Sequence, residues 1–156
     1  MSVERVKEYL KRFGLDGRVR ELPESSATVA LAALALKCGE GEIAKSLTFM
    51  VSGEPIMIVA AGDARIDNHK YKEEFGAKAK MLTPDEVREL IGHEVGGVCP
   101  FAVNDGVKVY LDKTLRKYEV VYPACGSSNS AVGMTIEELE RASGFLKWVD
   151  VCKDAG

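Results

Sequence analysis

Lys45 is the side chain whose surroundings most suggest chemistry. It stands in Ile43-Ala44-Lys45-Ser46-Leu47, between an apolar helix pattern and an apolar strand pattern. An ammonium held against a packed wall can neutralise a phosphate or a developing oxyanion. The same pattern also describes a lysine snorkelling at the start of a strand. Gly96-Gly97-Val98-Cys99-Pro100 is a second stretch of interest. Paired glycines let backbone approach a ligand and present N–H donors with no side chain in the way, and Pro100 stiffens the far end. An ordinary turn uses the same residues. A third stretch, Gly126-Ser127-Ser128-Asn129-Ser130, follows a strand pattern directly and can hydrogen-bond a ribose or an amino group, or be a solvated loop.

Cys99 and His93 invite a nucleophile and base reading, but they meet only if the glycine loop folds back, and neither has an evident orienting carboxylate. Inert packing or pocket lining is the expectation for Cys99. The four cysteines, Cys38, Cys99, Cys125 and Cys152, form no Cys-x-x-Cys pair, and His69 and His93 are the only histidines. Neither a zinc site nor a dithiol redox motif is suggested, and no cofactor is expected.

The elements that must carry these residues are legible in outline. Val3, Val6, Leu10 and Phe13 recur at helical spacing up to Gly14. A helix from Thr28 to Cys38 is apolar nearly all round, with Ser26 or Thr28 as N-cap and Gly39 at its end, and deep packing is expected for it. Residues 47–51 and 55–61 form a hairpin about Ser52-Gly53-Glu54, its second strand central because it is continuously apolar. A short charged helix is expected over 67–75 and a short strand over 79–82. Thr83-Pro84-Asp85-Glu86 is a capping box with proline at the first helical position, which predicts a helix over 84–91, and Thr135-Ile136-Glu137-Glu138 repeats the signal. Strands are expected at 107–111, 120–122 and 131–134, with 145–151 closing the sheet. Gly14, Gly41 and Gly62 read as turns. Hairpins coexist with helical crossovers, so the fold class is α+β, a mixed α/β chain with a curved, barrel-like, mostly antiparallel or mixed sheet and helices packed outside.

At 156 residues, with 46% hydrophobic and 29% charged residues, the sequence suits a single domain over 1–156 around one core. No apolar run approaches the ~20 residues of a membrane span, and the N-terminus has no signal-peptide core, so a soluble cytoplasmic protein without membrane contact is expected. The net charge of −3 argues against gripping long DNA through many phosphates, though not against touching the end of a nucleic acid.

Taken in order, the motifs resemble the YbaK/EbsC family, which includes the editing domain inserted in bacterial prolyl-tRNA synthetases. The matching stretches are Thr28 to Ala33, Ile43 to Leu47, Val59-Ala60-Ala61-Gly62-Asp63, Gly96 to Phe101, Tyr110-Leu111-Asp112, Ala124 to Ala131 and Thr135 to Leu139. The resemblance implies hydrolysis of a mischarged aminoacyl-tRNA, with Lys45 in the place of the family's essential lysine. It implies substrate contacts from Thr28, Ser46, Gly96, Gly97, Val98, Cys99, Pro100, Gly126, Asn129 and Ser130. Relatives specific for cysteinyl-tRNA(Pro) carry a Ser-Ala-Gly-Lys-Arg-Gly type segment where this chain has Ala124-Cys125-Gly126-Ser127-Ser128-Asn129, so alanine, cysteine and serine all stay open as the amino acid removed. The implied partner is the acceptor end of an aminoacyl-tRNA, with prolyl-tRNA synthetase or an elongation factor as helper. A module that holds an aminoacyl or nucleotide end without cleaving it, and a thiol-dependent protein using Cys99, are the alternatives.

Overall fold

The computed structural model describes residues 2–153, apart from the side chain of Ser2. In chain order the elements are α1 (Ser2–Leu10), β1 (Val19–Glu21), α2 (Val29–Leu36), β2 (Ile43–Val51), β3 (Glu54–Ala61), β4 (Arg65–Ile66), α3 (Asn68–Phe75) and α4 (Pro84–Glu86), which runs on as a π-helical turn over Val87–Ile91. After these come β5 (Lys108–Asp112), β6 (Val120–Pro123), β7 (Ser130–Val132), β8 (Met134–Thr135), α5 (Ile136–Ser143), β9 (Lys147–Val149) and β10 (Cys152–Lys153).

The main sheet has the order β8-β6-β2-β3-β5-β9, so β3 is central. Its continuous apolar run is explained by burial on both faces. Met57 and Val59 pack with Val6, Leu10 and Leu139 on one side, and Ile56, Ile58 and Ala60 with Tyr71, Tyr110 and Val151 on the other. The sheet is mixed, as expected. β2 and β3 are antiparallel, as are β6 and β8, whereas β6 on β2, β5 on β3 and β9 on β5 are parallel. The hairpin turn places Ser52 at φ 50° and Gly53 at φ 79°, the two positive values that match the twist of paired strands. Both capping boxes form, with Thr83 and Thr135 accepting from Glu86 and Glu138 backbone N–H groups.

Some expectations need correction. β2 begins at Ile43, so Lys45 lies inside a strand and not at its start. The strand expected over 79–82 is reduced to one bridge, Met81 to Phe49. α2 is buried through Ala32, Ala33 and Leu36, but Leu31 is 44% and Leu34 77% exposed, because the helix is covered on one side only. Gly41 and Gly62 are more than turns. A Cβ at Gly41 would stand 2.0 Å from the Tyr118 hydroxyl, and one at Gly62 2.1 Å from the Glu40 carbonyl oxygen. These glycines let the 39–42 turn press against the end of β3.

Candidate functional site

The site forms where the sheet splits. β6 pairs with β2 only at Ile43 and Ala44. Further along, Met81 bridges to Phe49, with Met50 N–H donating to Lys80 O and Leu82 N–H to Thr48 O. Between those two contacts the Lys45–Leu47 stretch of β2 has no strand beside it on that edge among the described pairings. A cavity of about 320 Å³ occupies the gap, at the small end of the ~300–1,000 Å³ usual for small-molecule sites.

Its walls are three loops tied to one another. Leu22 N–H donates to Asn129 O at 2.6 Å and Ser26 N–H to Ser128 O at 2.5 Å, which joins the stretch before α2 to the 126–130 loop. Gly126 N–H donates to Gly97 O at 2.9 Å, which joins that loop to the glycine loop. The glycines make this approach possible: a Cβ on Gly97 would lie 2.4 Å from Gly126 C and Ser127 N. Gly97 itself has no positive φ; Gly96 does, at +97°.

Of the residues singled out in the sequence, Lys45, Thr28, Ser46, Gly96, Val98 and Ser130 line the cavity together. Lys45 is half-buried and donates from Nζ to Ala64 O. Burial lowers its pKa; neighbouring Cys152 and Asp63 offset part of that, and Arg65 adds to it. Among the described lining residues it is the only charged one. Ser46 Oγ is buried without a hydrogen-bond partner. Thr28 Oγ1 caps α2 by accepting from Leu31 N–H at 3.1 Å. Ser130 Oγ accepts from the Ser127 hydroxyl at 2.8 Å.

Gly97, Cys99, Pro100, Gly126 and Asn129 stand outside the lining. Asn129 spends its amide on Leu22 O at 3.0 Å and accepts from Ser127 Oγ at 2.9 Å, so it braces the walls. Cys99 and His93 do meet, with Sγ 3.6 Å from Nε2. Both are buried away from the cavity, and burial pushes the Cys99 thiol up to about 12, so it stays protonated. Thr48, Tyr122, Met81 and Val95 were not evident from the sequence as wall residues. Period-2 alternation from Ser46 would have pointed to Thr48; nothing local marks the others. Among the described residues no group of three or more His, Cys, Asp or Glu could hold a metal, and no helix is long and apolar enough to cross a membrane.

A cavity whose described lining holds one half-buried lysine, several hydroxyls and no carboxylate, imidazole or thiol is suited to binding and stabilising negative charge on an ester or phosphate. The family model described as "Aminoacyl-tRNA editing domain" matches residues 23–142. An uncharacterised protein, YwhH, of Bacillus subtilis is 48% identical over 155 residues, covering 99% of both chains. The proline–tRNA ligase of Halalkalibacterium halodurans is 34% identical over 114 residues, 71% of this chain but 20% of the ligase, so the chain spans about a fifth of that relative. A crystal structure described as a candidate trans-editing enzyme for prolyl-tRNA synthetase superposes with a TM-score of 0.88 at 33% identity, over 97% of each chain. The chain belongs to the YbaK-type aminoacyl-tRNA editing domain family.

Proposed function

We propose that the protein hydrolyses the ester joining a small amino acid to the terminal ribose of a tRNA, with tRNA(Pro) bearing alanine, cysteine or serine as its first substrates. The observation that carries this reading is the small cavity at the open edge of β2, where Lys45 is the one charged residue among the described lining residues and Ser46 Oγ is buried without a partner. An unpaired buried hydroxyl costs about 1–3 kcal/mol, which a turn of the Ser46 side chain toward a bound amino or hydroxyl group would relieve.

In this reading the ester carbonyl sits against the glycine loop, and Lys45 is the group that stabilises negative charge, on the oxyanion or on the terminal phosphate. Water adds to the carbonyl carbon, the bond to the ribose oxygen breaks, and that oxygen leaves with a proton as the hydroxyl. Thr28, Ser46 and Ser130 hold polar groups of the aminoacyl end. Gly96 and Val98 form the wall, and Gly97, Cys99, Pro100, Gly126 and Asn129 give it shape from behind. A second hydrolytic site answers a real limit, since a hydrophobic pocket separates amino acids one methylene apart by only about 10–200-fold. A net charge of −3 offers little hold on the tRNA body, so contact is confined to the acceptor end, and a synthetase or elongation factor would contribute the remaining tRNA contacts.

The test is a deacylation panel on tRNA(Pro) carrying alanine, cysteine, serine or proline. Release of at least one small amino acid well above spontaneous hydrolysis, with prolyl-tRNA spared, is the expected result. Saturable binding of the acceptor end with no release from any substrate would make the protein a holder and not a hydrolase.

A further inference from the structure

The glycine loop, residues 94–100, is flanked by His93 and Phe101, and these two residues touch. His93 is 1% exposed, and its Nε2 lies 2.7 Å from Phe101 O. A carbonyl oxygen only accepts, so Nε2 carries the proton, and the neutral ring leaves Nδ1 bare. Nδ1 is buried and has no partner. We infer that His93 is the positioning residue of the cavity wall, its Nε2–H closing the neck of the glycine loop on Phe101 O and holding Gly96 and Val98 in place, and that this closed seat accepts only the neutral ring, because a protonated Nδ1 would be buried there without an acceptor. The kinetic consequence rests on the deacylase reading above; the closure of the loop does not.

The surroundings explain why the ring must stay neutral. Arg5 of α1 donates from Nη2 to Ala102 O, which brings a guanidinium to the same neck. Cys99 stands 3.6 Å from Nε2 and is a thiol. Tyr9 of α1 lies tilted beside Phe101 with ring centroids 6.3 Å apart, and burial raises its phenol. Cys125, behind Cys99, is likewise raised by burial. Glu94, the carboxylate next in the chain, points outward to Arg88 Nε at 2.8 Å. Among the described residues no anion is therefore ready to receive a second proton's charge on Nδ1. Burial and Arg5 both lower the His93 pKa, against a partial rise from the Phe101 bond. The neck is otherwise demanding: Asn104 N–H donates to Ile91 O at 2.9 Å, and Ala102 adopts φ 55°, a left-handed conformation that a non-glycine residue holds only under constraint.

Since the folded state holds His93 below its ordinary value of ~6.5, the unfolded or opened loop binds the proton more tightly. The closed loop is thus fully favoured above about pH 6.5 and loses stability as pH falls below it. The experiment compares the full chain with His93→Leu, which removes the donor, and His93→Gln, which keeps an N–H donor of similar reach and cannot be protonated. Amide hydrogen exchange of residues 94–101 is read relative to α5, and deacylation kinetics are read alongside. At neutral pH the Leu variant should exchange this segment roughly tenfold faster and lose kcat/KM, with Gln restoring both. Below pH 6.5 the native segment should open while that of the Gln variant stays protected. A Leu variant with native exchange and kinetics overturns the inference, as do superimposable pH profiles for the native and Gln proteins. If the Leu variant fails to fold, the native and Gln pair decides. A protein that cleaves no mischarged tRNA, yet opens this loop in acid, would overturn the deacylase reading and leave the closure standing.

Discussion

Replacing Gly97 by alanine probes the construction of the site most directly. The added carbon would meet Gly126 C and Ser127 N at 2.4 Å and Gly126 O at 2.7 Å, all backbone atoms that cannot rotate away. Ordinary contact needs about 3.5–4.0 Å, so the two loops must part by about 1 Å, and the Gly126 N–H bond to Gly97 O at 2.9 Å is stretched or lost. Overpacking of this kind costs about 1–3 kcal/mol, and the hydrogen bond adds about 0.5–1.5 kcal/mol. A total near 2–4 kcal/mol corresponds to a Tm loss of roughly 5–15 °C in a chain of this size. Gly96→Ala is the control. Its added carbon has room, with Ser128 Cβ at 3.4 Å and Ala27 Cβ at 3.5 Å, but the positive φ of +97° costs about 1–2 kcal/mol. Gly97→Ala should therefore be the more damaging of the two, in both denaturant unfolding and single-turnover deacylation. Equal stability and native rates for Gly97→Ala would refute the packing argument, and a costlier Gly96→Ala would show that conformation, not contact, governs the loop.

Lys45→Ala should lower deacylation at least ~10-fold with little change in Tm, since the side chain offers charge to the cavity and fills little core; unchanged turnover at limiting and saturating substrate would remove that role. Because burial lowers the Lys45 pKa, turnover corrected for spontaneous hydrolysis should decline on the alkaline side before the ordinary lysine value of ~10.4, as the ammonium loses its proton. Cys99→Ala and Cys125→Ala should keep substantial activity, and an alkylating reagent should label half-buried Cys38 before the buried Cys99, Cys125 and Cys152; complete loss of activity in folded Cys99→Ala would favour thiol chemistry. Asp112→Ala should cost about 2–4 kcal/mol in denaturant unfolding, because the buried carboxylate accepts from Thr114 N–H at 3.0 Å, Thr114 Oγ1 at 2.7 Å and Val151 N–H at 2.9 Å.

What could be read from the sequence is what is decided locally. Thr83-Pro84-Asp85-Glu86 and Thr135 to Glu138 specify their helices because cap, first-turn proline and returning glutamate all act within one turn. The Ser52-Gly53 turn is similar, and the double burial of β3 is written in its unbroken apolar run. α2 shows where such reading ends. Val29 to Leu36 is apolar on every side, so no amphipathic stripe distinguishes the covered face from the one carrying exposed Leu31 and Leu34. Gly41 and Gly62 are opaque for a related reason: their lack of a side chain matters only because Tyr118 and Glu40 arrive from elsewhere in the chain.

The cavity belongs to the same non-local class, although its residues are scattered through motifs visible in the sequence. β2 reads as one strand, yet its outer edge is shared between β6 at Ile43–Ala44 and the Met81 bridge at Phe49. Neither partner's register can be inferred from β2 itself. Extending the β6 contact by three residues would cover Lys45 to Leu47 with a strand and leave no room for a ligand, so the site exists because the partners of β2 stop short. The loops that stop them are held by bonds across long sequence distances, Gly126 to Gly97 and Ser26 to Ser128. This accounts for the division of labour within the glycine loop: Gly96 faces the cavity, whereas Gly97 permits the close contact with Gly126 and Ser127 that keeps the sheet open.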